Sequence, residues 1–257
     1  MIVNADDFGL DHAANAGIAV AFERGLVSST TLMANQPGFE EAVQLAHDFR
    51  LARHVGIHVV LTHGVPLTDP IRRLERFCAA DGSFHPGLRD ERVWHVSRAE
   101  RDALRVELDA QVRRVRDAGL SVTHLDSHHH VHNEWAIGGV LIDVARSHGI
   151  QHVRLARNCG SGIGLASASY KRLFNRRLRA RGLAETRWFG DARDWLALRD
   201  AGTRGDALDD FELMTHPVLT ADNRLVDPVF ENQELSVVLA PVTPVASAVS
   251  YVGARLR

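Results

Sequence analysis

Along this chain the hydrophobic positions switch repeatedly between a two-residue and a 3.6-residue period, which predicts strands alternating with helices. Ile2 to Ala5 is a short apolar run ending at Asp6 and Asp7, Ala13 to Arg24 carries helical periodicity stopped by Gly25, and Val27 to Ala34 returns to a β pattern. Phe39, Val43 and Ala46 mark a second helical face, and Gly56 to Thr62 reads as a compact strand. Over residues 64–96 the periodicity is lost, as expected of an excursion across the surface. Ser97 and Glu100 then form a capping box before a helix whose inward positions are Leu104, Leu108, Val112 and Val115, closed by Gly119. Leu120 to Leu125 predicts a strand, Val140 to Ala145 belongs to a helix stopped near Gly149, and Ile150 to Leu155 predicts another strand. Asn158 to Ser169 is a Gly- and Ser-rich loop without the lysine of a P-loop, and Lys171 to Arg181 is a basic helix read as solvated and amphipathic. Phe211 to Thr215 predicts a strand ending at His216-Pro217, and Glu231 to Arg255 one or two closing helices.

Such alternation implies a mainly parallel sheet covered by helices. The length of 257 residues and the number of strand candidates favour a single-domain (β/α) barrel over residues 1–257, in a distorted TIM-like form; no linker or internal repeat divides the chain. Strand carboxyl ends gather on one face of such folds and build the active site there. Asp6, Asp7, His58, His128 and His216 all stand at or near predicted strand ends, so residues far apart in sequence are expected to converge.

Composition narrows the partners. The net charge of -2 gives no electrostatic case for nucleic acid or an anionic membrane, although charge can be patchy. Cys78 and Cys159 are too few for a disulfide framework, which fits a reducing cytoplasm. The N-terminus enters a strand pattern without a signal core, and no apolar run approaches the ~20 residues of a membrane span.

The chemistry is concentrated in His124-Leu-Asp126-Ser-His128-His129-His130-Val-His132, a density of imidazole that points to metal binding or acid–base work. For Asp6 and Asp7 the competing role is helix capping, which Asp11 can equally perform. His58, among Ile57, Val59 and Val60, reads singly as a core histidine; with a carboxylate and a second imidazole it completes an Asp-His-His set suited to zinc or another divalent ion. Arg154 leaves a strand toward the same face and can bind substrate or pair with Asp6. Trp94, Trp135, Trp188 and Trp195 are candidates both for stacking on a sugar ring and for the core.

Asn4-Ala-Asp-Asp-Phe-Gly9, Gly56-Ile-His-Val-Val-Leu-Thr62, Thr123-His-Leu-Asp-Ser-His-His-His-Val-His132 and Met214-Thr-His-Pro217 together resemble, in order and spacing, the motif series of the YdjC-like carbohydrate deacetylases, relatives of the NodB-type polysaccharide deacetylases. The resemblance implies a (β/α) barrel holding one divalent metal ion, zinc first and magnesium, nickel or cobalt as alternatives, that removes acetyl groups from N-acetylated sugars. It implies Asp7, His58 and His128 as metal ligands, with His130 and His132 as substitutes for His128. It further implies Asp6 as general base, His216 as general acid, and Asp126 as the residue that orients a neighbouring histidine or the base; beside them, His130, His132 and Arg154 are expected to support the ligands or touch substrate. The expected partner is an N-acetyl sugar, with no nucleic acid; a homodimer is compatible. The rival readings are a metal-dependent phosphoesterase and an inactive carbohydrate-binding protein on the same scaffold.

Overall fold

A computed structural model describes residues 1–242 and 250–251. Six parallel strands make the central sheet: β1 (Ile2–Phe8), β2 (Ser29–Leu32), β3 (Val55–Val59), β4 (Leu125–Ser127), β5 (Trp188–Gly190) and β6 (Phe211–Thr215), in spatial order β4-β3-β2-β1-β6-β5. Around them lie α1 (His12–Glu23), α2 (Phe39–Asp48), α3 (Asp69–Arg72), α4 (Arg98–Asp117), α5 (Trp135–Ser147), α6 (Leu165–Arg179), α7 (Ala192–Asp200), α8 (Gly205–Leu208) and α9 (Leu235–Leu239). A small antiparallel sheet of β7 (Val218–Leu219), β8 (Leu225–Asp227) and β9 (Gln233–Glu234) follows β6.

The sequence signals account for much of this. Asp11 caps α1 by accepting from the Ala14 N–H at 2.9 Å, which releases Asp6 and Asp7 from that duty. The Ser97–Glu100 capping box forms in both directions at the start of α4. One sheet face is apolar, with Val3, Ala5, Ile57 and Leu125 buried against helices. The other is polar: Asn4 and Asp6, Ser29 and Thr31, Gly56 and His58, His124 and Asp126 alternate along β1 to β4 and are buried. Asn4 bonds Thr31, Thr31 bonds Asp126, and His124 Nε2 lies 3.1 Å from Asn4 Oδ1, so the curled sheet encloses a hydrogen-bonded network.

Several boundaries differ from expectation. The sheet is a half-barrel: Ile150 to Leu155 contributes only the Leu125–Val153 bridge, and a Val153 N–H bond to the Leu183 carbonyl and a Phe189 N–H bond to the Asn158 side chain stand where a further strand would close the ring. β4 begins at Leu125, where the predicted strand was to end; Leu120 to Thr123 lies outside the strand, although the Ser121 and Thr123 N–H groups bond the Ala52 and Val55 carbonyls. α6 starts six residues earlier than Lys171 and absorbs part of the Gly/Ser loop. β5 and α7 carry too few periodic residues to be seen in sequence, although Asp191 and Asp194 form a capping box. Of the closing-helix region, only the five-residue α9 is helical among the described residues, and 243–249 and 252–257 lie outside them.

Candidate active site

Two adjacent residues of a regular strand point to opposite faces, yet Asp6 and Asp7 both reach the carboxyl end of the sheet. The reason is a bulge: β1 advances three residues, Ala5 to Phe8, while β2 advances two, Thr30 to Leu32. Asp7 takes the extra position with φ 70°, a left-handed conformation that aspartate tolerates better than most side chains. The turn beyond it is pinned by Asn15, whose Oδ1 accepts the Gly9 N–H at 2.7 Å. At the end of β4, His129 and His130 also lie in the left-handed region, at φ 54° and 55°. Both strand exits that carry the polar motifs thus hold non-glycine residues in the left-handed region, as do the turns at Arg50, Asn223, Glu231 and Asn232.

The bulge brings Asp7 to two imidazoles. Its Oδ1 lies 2.9 Å from His128 Nδ1 and 3.2 Å from His58 Nε2. His58 stands opposite Asp126 on the neighbouring strand, and its Nδ1 donates to Asp126 Oδ1 at 2.6 Å. That bond fixes the ring so that Nε2 faces Asp7, the carboxylate–histidine arrangement found behind metal ligands. Burial disfavours the charged His58 ring, but Asp126, together with Asp7 and Asp6, outweighs it and raises the imidazole to about 10 in the absence of a metal. Burial likewise opposes ionisation of Asp7, and the two histidines reverse the balance, holding the carboxyl well below its usual range.

Beside this cluster, Arg154 is fully buried and serves three carboxylates. Nε donates to Glu212 at 2.6 Å, the terminal nitrogens bracket Asp6 at 2.6 and 2.7 Å, and Nη1 lies 2.6 Å from Asp126. Burial alone would raise the Asp6 pKa; the guanidinium overrides it and holds the group well below the usual carboxylate range. Glu212 moves the other way, its pKa raised chiefly by burial. His216 follows β6, which pairs with β1 through Ala5 and Thr215, and is thereby set near Asp6. The buried Asp227 of β8 accepts the His216 N–H at 3.0 Å and lies 4.0 Å from its ring.

Asp7, His58 and His128 thus converge, with Asp126 behind His58 and Asp6 and Arg154 alongside. His132 is directed elsewhere: it is buried, with Nδ1 2.7 Å from Ser127 Oγ, and supports the loop beneath His128. His130 lines the adjoining cavity, about 680 Å³ in volume, with Tyr170, Lys171, Arg157, Phe189 and Met214. Trp195 is buried, Trp135 lies under the Arg177 guanidinium, and Trp94 is exposed beyond the cavity. Glu212, Thr31 and Asp227 were not read from the sequence; Glu212 alone had a signal there, as a single charged residue inside the apolar run Phe211-Glu-Leu-Met214.

A second acidic group, Asp6, His58 and Asp126, is close enough for a cation, but two of its members already neutralise Arg154. The Asp7, His58 and His128 set fits a divalent ion better: Asp7 Oδ1 lies 3.2 and 2.9 Å from the two imidazole nitrogens, close to the ~3.4 Å edge of a tetrahedron with ~2.1 Å bonds, all three donors lie within 4.8 Å of one another, and none is bonded to arginine.

The YdjC-like protein family model matches residues 1–243. Over 148 residues the chain is 41% identical to a carbohydrate deacetylase of Brevibacillus brevis, covering 58% of this chain and 56% of that protein. Over 158 residues it is 42% identical to a carbohydrate deacetylase of Geobacillus stearothermophilus, covering 61% and 60%. The chain therefore matches less than two thirds of the length of these relatives. A crystal structure of an Enterococcus faecalis V583 protein, named for cellobiose-phosphate cleavage, superposes with a TM-score of 0.67 at 22% identity, covering 98% of this chain and 97% of that one. That likeness bears on the fold. The family match extends through every motif of the site, and the chain belongs to the YdjC-like protein family.

Proposed function

We propose that this protein is a metal-dependent carbohydrate N-deacetylase. The observation that carries the reading is the convergence of Asp7, His58 and His128 beside an arginine-held Asp6. Relatives named carbohydrate deacetylase support the substrate class, and the cavity next to the cluster has room for a sugar. Asp7, His58 and His128 would hold the ion. When bound, it supplies a Lewis acid that polarises the amide carbonyl and acidifies water, the two demands of a poor electrophile.

The chain's own residues do the rest. Arg154 keeps Asp6 ionised, so Asp6 accepts a hydrogen bond from the attacking water and takes its proton as the carbon–oxygen bond forms; being a weak base, it then releases that proton to solvent, from which His216 regains the one it gives to the leaving nitrogen. His216, partly open to solvent and tied to β8 by Asp227, protonates the departing sugar nitrogen. Acid and base steps of this kind typically contribute ~10² to 10⁴-fold each. Asp126 holds His58 in the ligating tautomer. His130, with Nδ1 buried and unpartnered among the described residues, is available to bond a substrate hydroxyl or the acetyl group.

The test is acetate release from a panel of N-acetyl sugars by metal-stripped and metal-restored protein. Activity is expected only after metal is restored. Asp6→Asn should keep its metal but lose at least ~10²-fold in turnover, whereas His58→Ala should lose metal affinity. Full activity in the stripped protein or in Asp6→Asn would overturn the mechanism.

A further inference from the structure

The outward face of α6 takes no part in the chemistry above. Leu165, Ser169, Arg172, Leu173 and Arg176 share one helical face and are all exposed, Leu165 at 88% and Leu173 at 54%. Phe174, Asn175 and Leu178 occupy the opposite, buried side. The helix therefore has a packed inner face and, outside it, a second stripe on which leucine and arginine are mixed. Trp94, 60% exposed, extends that surface, its ring set edge-on to Tyr170 of the same helix at a centroid distance of 5.2 Å. Single exposed apolar residues need no explanation; three large ones beside a concentrated charge do.

The charge is one-sided. No Asp or Glu occurs between Asp143 and Glu185, while Lys171, Arg172, Arg176, Arg177, Arg179 and Arg181 fall within that interval, in a chain whose net charge is -2. Arg172, Arg176, Arg179 and Arg181 make no ion pair among the described residues; Arg172 bonds only Ser169 of its own helix and Arg179 only the Arg187 carbonyl. Of the acids on adjacent elements, Glu134 is committed to Arg92 at 2.6 Å, Asp194 to Arg157 and Glu185 to His152, while Asp143 of α5 lies near Arg177, which is not on the outward stripe.

We propose that the outward face of α6, extended by Trp94, docks the protein on the surface of an anionic lipid bilayer. Arginines at this stripe would meet headgroup phosphates while Leu165, Leu173 and Trp94 enter the boundary of the acyl layer. A polynucleotide would satisfy the arginines but gives exposed leucines nothing to bury against, so the mixed stripe favours lipid. Tyr170 and Lys171, half-buried on the flanks of the helix between its outward and packed faces, wall the cavity. Docking thus sets the cavity beside the headgroup layer, and, resting on the deacetylase reading, the substrate becomes an N-acetyl sugar carried on a lipid.

The experiment is co-sedimentation of the full chain with phosphatidylcholine vesicles, with and without phosphatidylglycerol, at low and high salt. Wild type should pellet with the anionic vesicles alone and be largely released by salt. Arg172→Glu with Arg176→Glu should reduce binding at least about tenfold, and Leu165→Ser with Leu173→Ser should weaken it while sparing its salt dependence. Both double variants should keep the wild-type circular dichroism and acetate release from a soluble N-acetyl sugar. Equal partition of wild type to both vesicles, indifference to charge reversal, or binding to duplex DNA in preference to anionic vesicles would overturn the proposal. Vesicle binding without acetate release would leave docking intact and remove the deacetylase reading; acetate release without vesicle binding would do the reverse.

Discussion

At Arg154 a single guanidinium is shared by Asp6, Asp126 and Glu212, all buried. A buried ion cluster adds little net stability over an apolar one, but removing one partner exposes the others to the full cost of burial. Arg154→Met should therefore lose about 3–5 kcal/mol, measured by urea denaturation. The pH dependence should invert as well. In the wild type the folded-state pKa of Asp6 is depressed, so its contribution is present above the unfolded value near 3.9 and is lost as pH falls toward the folded value. Without the guanidinium the buried carboxylates rise above their unfolded pKa values, and lowering the pH from neutral to ~5 should stabilise the variant. A variant that instead weakens steadily over that interval would contradict the role assigned to Arg154. At this scale the residue types were legible: Asp7, His58 and His128 stand out as polar groups at strand exits. Their geometry was not, because the Asp7 carboxylate depends on a left-handed φ that no side-chain pattern announces.

The elements position these groups through close backbone approaches. Gly17 lies inside α1, where glycine ordinarily costs about 1 kcal/mol relative to alanine. A Cβ there would lie 2.6 Å from the Pro217 carbonyl oxygen and 2.7 Å from the Val218 Cα. The glycine thus lets α1 press against the segment immediately following His216. Gly17→Ala should destabilise the fold by about 1–3 kcal/mol and lower kcat by displacing His216, with metal affinity unchanged; thermal melting, steady-state kinetics and metal titration separate the three. Gly56 plays the same part inside the sheet, since a Cβ would lie 2.5 Å from the His124 ring. Helices with start and stop signals, α1 and α4, were readable to within about two residues at each end, and α2 was readable as a face through Phe39, Val43 and Ala46. The short strands β4 and β5 were misplaced or missed, because three residues carry too little pattern to distinguish a strand from extended loop.

For the whole molecule, the three candidate ligands lie on β1, β3 and the segment after β4, and their separation in sequence reaches 121 residues between Asp7 and His128. An ion bound by them links three strand ends and binds the folded state alone. Added zinc at about 100 times its Kd should stabilise the protein by about 2.7 kcal/mol, seen as a rise in Tm that disappears in Asp7→Asn, a variant that keeps the volume and tolerates the left-handed backbone. An unchanged Tm would argue against this cluster as the metal site. No helix among the described residues is long and apolar enough to cross a membrane. The sequence by itself determined the alternation of strands and helices, the α/β class and the set of polar residues near strand ends, because hydrophobic period and motif spacing are local properties. Only the tertiary structure decided that the sheet curls without closing, that its inner face is a polar network centred on Arg154, and that the histidine tract divides into His124 inside the sheet, His128 at Asp7, His130 in the cavity wall and His132 beneath the loop. Those choices depend on strand register and on one inserted residue in β1, and a one-residue shift in a strand moves every side chain to the opposite face.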